Sequence, residues 1–194
     1  TIYGPEKDHI ACVIQQSKNF YEPEMLQFIN GLHPRGTIID VGANIGNHSV
    51  YFGLFTDATK VISIEPYGVA AELLRRNIEA NNLSRVVTQF DCALGSRNGV
   101  VGIRPGRDTN IGTTRVIKGV GIELKKLDDI ARCEPVSIIK IDVEGYELEV
   151  LKGAREILQA QHPILFLEAS TPRRKGILDE YLLQFGYHSG PKFN

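Results

Sequence analysis

Three cysteines, scattered at Cys12, Cys92 and Cys133, are all that this chain of 194 residues contains. Their number is odd and no two stand in a C-x-x-C spacing. That argues against a disulfide framework or a structural zinc, and for a reducing compartment. No stretch approaches 18 consecutive apolar residues, so no segment reads as a membrane span. A one-sided charge is missing too. The net charge is −1, so no global field draws the chain to nucleic acid or to an acidic membrane surface. The opening residues, Thr1 to Asp8, have neither a basic n-region nor an apolar h-region, so no secretory signal shows there. With the cysteine pattern, this leads to the expectation of a cytoplasmic protein. Internal repeats and low-complexity segments are also absent. What remains is ordinary for a globular domain: 42% apolar and 23% charged residues, and a length that fits one domain, 1–194, with a sizeable core.

The most informative stretch is Thr37-Ile-Ile-Asp-Val-Gly-Ala-Asn-Ile-Gly-Asn-His-Ser49. Ile38 and Ile39 lead to an acid, Asp40, and then to Gly42 and Gly46. An apolar helical pattern follows at Val50, Tyr51, Phe52, Leu54 and Phe55. This reads as a buried strand, a tight turn and a helix packed back on the strand. Glycines in such a turn let backbone N–H groups approach a ligand at a helix N-terminus. Nineteen residues beyond Gly46, the apolar run Val61 to Ile64 ends at Glu65. An acid there is suited to the two hydroxyls of a nucleoside ribose. A dinucleotide fingerprint would read G-x-G-x-x-G. Here Asp40, Gly42, Asn44 and Gly46 alternate instead, and the acid repels a pyrophosphate but suits a cofactor tail that carries an ammonium group.

Strands and helices alternate along the rest of the chain. Residues 1–36 are a lead-in, with a short helix from Pro23 to Gly31 bounded by proline and glycine. A helix over Val69 to Asn81 carries Ala70, Leu73, Leu74 and Ile78 at helical spacing. A strand over Arg85 to Phe90 runs into Asp91. Between Gly95 and Gly121 stand seven glycines, five basic residues and one acid, within an insertion of small strands and mobile loops spanning about 95–126. Leu127 to Ile130 is a brief helical turn. The strand Val136 to Ile141 ends at Asp142. One amphipathic helix follows, with Leu148, Leu151, Ala154 and Leu158 on one face and Glu144, Glu147 and Glu149 at its positive end. The strand Pro163 to Leu167 ends at Glu168, a helix covers about Lys175 to Phe185, and Gly186 onward begins another strand. The fold class is therefore α/β, with a mainly parallel sheet. All five assigned strands end in an acid, although acids are roughly one residue in eight. Sheets of this kind bind ligands outside those ends.

These residues also spell a family. Ile39 to Gly46, Glu65-Pro66, Cys92 to Gly95, Leu127 to Ile130 and, above all, the block Lys140-Ile-Asp-Val-Glu-Gly-Tyr-Glu-Leu-Glu-Val-Leu-Lys-Gly-Ala154 resemble the FkbM-type methyltransferases, a branch of the class I enzymes that use S-adenosyl-L-methionine. The resemblance runs from about Phe20 to Tyr187. It implies a Rossmann-like fold and methyl transfer, typically to oxygen, on sugars, polyketides or related metabolites. Asp40 with the turn Gly42, Asn44, Gly46 would hold the methionine end of the cofactor, Glu65 the ribose and Asp91 the adenine. Glu22, which recurs in the resembling family just upstream of the motif, would line the cofactor. Family members usually carry a further strand after Gly190, where this chain soon ends, so the far edge of the sheet is open in this reading.

The acceptor side falls to the remaining acids. Lys140 sits in an apolar run and needs a partner. Asp142 lies two residues on, hence on the same face, and Glu168 ends the next strand. Asp142 or Glu144 is the candidate general base, with His48 as a rival. Asp142 and Glu168 as ligands for Mg²⁺ is a lesser alternative, and no metal is expected. The basic insertion, through Arg104, Arg107 and Arg115, would take an anionic acceptor such as a sugar nucleotide or phosphorylated glycan, helped by Arg173 to Lys175. Two other functions stay open: a cofactor-binding protein without transferase activity, and an NAD(P)-dependent oxidoreductase.

Overall fold

In the computed structural model, which describes every residue except Asp108 and Asn194, the chain builds an α/β sheet with a small second sheet beside it. The elements follow in order: α1 (His9–Ser17), α2 (Pro23–Gly31), β1 (Gly36–Val41), α3 (Asn47–Phe55), β2 (Ala58–Ile64), α4 (Gly68–Ala80), β3 (Val87–Phe90), β4 (Ala93–Leu94), β5 (Gly99–Arg104), β6 (Arg115–Lys125), α5 (Leu127–Ala131), β7 (Val136–Ile141), α6 (Glu147–Lys152), α7 (Arg155–Gln161), β8 (Ile164–Leu167) and α8 (Pro172–Leu183). The main sheet has the order β3-β2-β1-β7-β8, and each neighbouring pair in it is parallel.

Successive strand residues point to opposite faces, and here both faces are covered, which is why the strands read as continuous apolar runs. Ile39, Val41, Ile62, Ile64, Ile139 and Ile141 pack with α5 to α8. Ile38, Val61 and Ile138 pack on the other side with residues of α2, α3 and α4.

Three expectations are corrected. The lead-in contains α1 as well as the expected short helix. The insertion folds as small strands. Its strands β5 and β6 form an antiparallel ribbon, with β4 paired to β6. The helix expected after Asp142 is two short helices. Asp128 caps the second, accepting from Glu156 N at 3.0 Å and Ile157 N at 3.0 Å, and a carboxylate seated there requires a helix start. Finally, residues 186–193 form no strand. Side chains hold this tail instead: Tyr187 Oη donates to Pro163 O at 2.9 Å, Lys175 Nζ to Ser189 Oγ at 2.9 Å, and the Phe193 ring lies 5.2 Å from that of Phe28.

Candidate active site

Strand register builds the site in two rows. In the lower row, Ser63 of β2, Asp40 of β1 and Lys140 of β7 stand opposite one another. All three are buried. Lys140 Nζ lies 3.2 Å from Asp40 Oδ1 and 3.4 Å from Gly42 O. Ser49, from the first turns of α3, donates to Asp40 Oδ2 at 2.6 Å, and Ser63 Oγ donates to Ser49 Oγ at 2.7 Å. Burial works against the Lys140 charge, but Asp40 and Asp142 outweigh it and push its pKa up. The ammonium is therefore permanent, and it fixes the charge of the floor.

Two residues further along each strand comes the upper row: Glu65, Gly42 and Asp142, at the carboxyl edge of the sheet. This row opens into a cleft of about 1330 Å³, lined also by Tyr21, Glu22, Asn44, Glu144 and Glu168 among others. Gly42 has φ +76, and a Cβ there would lie 1.8 Å from Asp142 O, so only glycine lets β1 and β7 approach at this level. Gly46 has φ +90 and faces Leu74 of α4 rather than the cleft.

Glu65 accepts from Asn44 N and from Tyr67 N, each at 2.8 Å. Burial pushes its carboxyl up to about 7, against the pull of those two amides. The Asn44 side chain beside it holds both its amide nitrogen and its oxygen out of solvent without a hydrogen-bond partner. An acid short of donors next to an unspent carboxamide suits a vicinal diol and a polar tail.

At the other end, Asp142 and Glu168 face each other across the ends of β7 and β8, where Glu168 N donates to Ile141 O at 3.1 Å. The hydrogen bond to Asp142, together with burial and the neighbouring acids, pushes Glu168 up to about 8. Asp142 moves the other way: burial opposes its charge, but Lys140, 3.5 Å away, and Glu168 win. Opposite shifts in neighbouring carboxyls are what two like charges resisting joint ionisation produce. Burial also raises Glu144, reinforced by Asp142 and eased by Arg115. His48 Nε2 lies 3.0 Å from Glu22 Oε2, and Glu22 holds a left-handed backbone at φ 55.

The structure therefore brings Glu22, Gly42, Asn44, Glu65, Lys140, Asp142, Glu144 and Glu168 to one cleft. Two of the expected site residues lie apart from it. Asp40 is fully buried beneath the cleft, where Lys140 and Ser49 meet its carboxylate. Asp91 lies outside the cleft, where Arg75 Nη2 and Gln89 Nε2 hold it at 2.7 and 2.6 Å. Arg104 and Arg115 form a cross-strand pair on the ribbon. Arg115 reaches within 3.7 Å of Glu144 at the cleft margin. The sequence reading missed Tyr21 and Asn47. The Asn47 side chain clamps the Tyr21 backbone with two hydrogen bonds, of 3.0 and 3.2 Å, and the Tyr21 phenol is pushed up by burial, with Glu22, Asp142 and Glu168 adding to the effect. Its place beside Glu22 was the available signal. Among the described residues no three His, Cys, Asp or Glu side chains converge as a metal ion requires, and no helix is long and apolar enough to cross a membrane.

Known proteins resemble this chain in sequence and fold. The chain is 30% identical to the methyltransferase sdnD of Sordaria araneosa, over 61% of this chain and 60% of that one. It is 29% identical to the hexuronic acid methyltransferase AglP of Haloferax volcanii, over 62% of this chain and 51% of that one. It thus spans between half and three-fifths of the length of these relatives. The crystal structure of the FkbM methyltransferase of Methylobacillus flagellatus KT superposes with a TM-score of 0.59 at 25% identity, covering 78% of this chain and 37% of that one. The Methyltransferase FkbM domain matches residues 40–189, most of the cleft included, and the chain belongs to that family.

Proposed function

We propose that this chain binds S-adenosyl-L-methionine and transfers its methyl group to a hydroxyl oxygen of a sugar, glycan or related metabolite. The observation that carries the reading is the upper row: a donor-hungry acid, Glu65, and a facing pair of acids, Asp142 and Glu168, open into one cleft with Gly42 between them. The residues fit the cofactor. Glu65 accepts from the ribose hydroxyls, Asn44 offers its unpaired carboxamide to the polar tail, and the turn at Gly42 leaves room for backbone approach. Glu22 adds a carboxylate at the same wall. When bound, the cofactor supplies an activated methyl group on a positively charged sulfur.

The protein's own work is orientation and proton transfer. Alignment of reacting atoms is worth up to roughly 7–11 kcal/mol in the best intramolecular cases. The dyad receives the hydroxyl proton. Below about pH 8 Glu168 is protonated and donates to Asp142; above it both carboxyls are free to accept. Lys140 holds Asp142 ionised throughout. Turnover is therefore expected to rise with pH through about 8. Asp142→Asn should cut turnover by about 10²–10⁴-fold while leaving cofactor affinity within about twofold. Release of S-adenosylhomocysteine from labelled cofactor, with an acceptor panel of neutral and acidic sugars, measures the first; calorimetry measures the second. A collapse of cofactor binding in a folded Asp142→Asn protein would contradict the assignment. A wild-type protein that binds cofactor but turns over none of the panel would favour the binding-protein alternative.

The ribbon arginines favour an acceptor that carries negative charge, because Arg115 stands at the cleft margin beside Glu144. The relative AglP is named for an acidic sugar, which agrees with this. Charge reversal at Arg104, Arg107 and Arg115 is expected to raise the acceptor KM at least tenfold without changing cofactor affinity, and added salt should raise the wild-type KM by screening. If neither changes KM, the acceptor is neutral.

A further inference from the structure

Asp8 is fully buried in a segment that none of the chemistry above uses. Its Oδ1 accepts from Ala11 N at 3.1 Å, capping α1, and its Oδ2 accepts from Ile111 N at 3.0 Å, 103 residues away. His9 N donates to Thr109 O at 2.9 Å. One carboxylate thus ties α1 to the tip of the β5–β6 ribbon. That tip lies over the cofactor turn: Asn110, Ile111 and Gly112 line the same cleft as Asn44, Glu65 and Pro66. Ile111 packs among Ile45, Ala70, Ile10 and Tyr67, and a Cβ on Gly112 would meet Asn44 Nδ2 at 3.0 Å. α1 itself is lightly packed: none of its nine residues is buried, whereas α2, α3 and α4 bury several each.

We propose that α1 and the ribbon tip form a two-part roof over the adenosine side of the cleft, with Asp8 as the positioning residue that latches its halves together. The proposal rests on the cofactor reading given above. The roof residues and the floor residues Asn44 and Glu65 line the same space, so parting the latch would widen a ligand's way out on this side. Opening breaks the bond from Ile111 N to the Asp8 carboxylate and the bond from His9 N to Thr109 O, and withdraws Ile111 from its apolar cluster. The ribbon, which supplies the acceptor-side arginines at its strand ends, would move with the tip. Cofactor residence and acceptor access are then coupled through one buried carboxylate.

The test uses S-adenosylhomocysteine as probe, with rapid-mixing release kinetics and amide hydrogen exchange on the whole chain. Asp8→Ala is expected to speed probe release about tenfold or more, since a hydrogen bond to a charged group is worth about that factor. Association should change less than threefold. Amides of residues 9–13 and 109–113 should gain exchange together, while those of β1 and β7 stay protected. Asp8→Asn, which keeps one acceptor oxygen, should fall between. Unchanged release in a variant whose two segments have opened would overturn the gating role. Segments that open independently, or not at all, would overturn the latch. A wild-type protein that does not bind the probe would remove the cofactor reading and the gating with it, and the exchange data would still report whether the latch exists.

Discussion

Glu65→Ala is expected to weaken cofactor binding by at least tenfold and up to several hundredfold. Two hydroxyls lose a charged acceptor, worth about 1.5–3 kcal/mol for such a hydrogen bond. Two backbone amides, Asn44 N and Tyr67 N, lose their partner as well. Calorimetry with S-adenosyl-L-methionine measures the change, and an unaltered dissociation constant would remove Glu65 from the site. The wild-type protein should show a matching pH dependence. Burial holds Glu65 up to about 7, and hydroxyl donors favour its ionised form. Binding near neutrality therefore expels a proton, and affinity should fall as pH drops below about 7. Stability runs the opposite way. A carboxyl raised above its unfolded value contributes stability below the unfolded pKa, and that contribution is lost as pH rises through about 7. In the ligand-free protein the Glu65 contribution thus declines over the range in which the ligand comes to bind better. Affinity and unfolding measured at pH 6 and 8 in the same buffers separate the two.

Lys140→Met should be the most destabilising single change at the site. It leaves the fully buried Asp40 carboxylate with Ser49 as its remaining side-chain partner, and breaking a buried ion pair from one side costs about 3–5 kcal/mol. The double variant Asp40→Asn, Lys140→Met removes both charges and should recover much of that loss. Urea unfolding of the two singles and the double closes the cycle. A double variant no more stable than Lys140→Met would show that the pair is not the energetic centre of the floor. Cofactor affinity in the double variant tests a separate point: Asp40 lies buried beneath the cleft, so binding is expected to survive as long as the turn at Gly42 keeps its shape.

The outcomes at particular residues show where sequence reasoning reaches. The acids following continuous apolar runs located β1, β2, β3, β7 and β8, and with them Glu65, Asp142 and Glu168, because strand ends in a parallel sheet share one edge. Lys140 stood out because a charge inside an apolar run demands a partner. Its partner on the neighbouring strand, Asp40, came from register, which a single sequence does not display. A carboxylate's neighbours likewise follow from tertiary contacts: Asp40 meets Ser49 and Lys140, and Asp91 meets Arg75 and Gln89.

By itself, then, the sequence determined the layered α/β architecture, the family and the row of acids, since these follow from local periodicity and short-range spacing. Only the tertiary structure decided which acids face the cleft, that Asp142 and Glu168 lie together at the ends of β7 and β8, and that Asp8 reaches across 103 residues to the ribbon tip. These depend on strand register and on how far burial strips water from a charge, and both arise from contacts between segments distant in the chain.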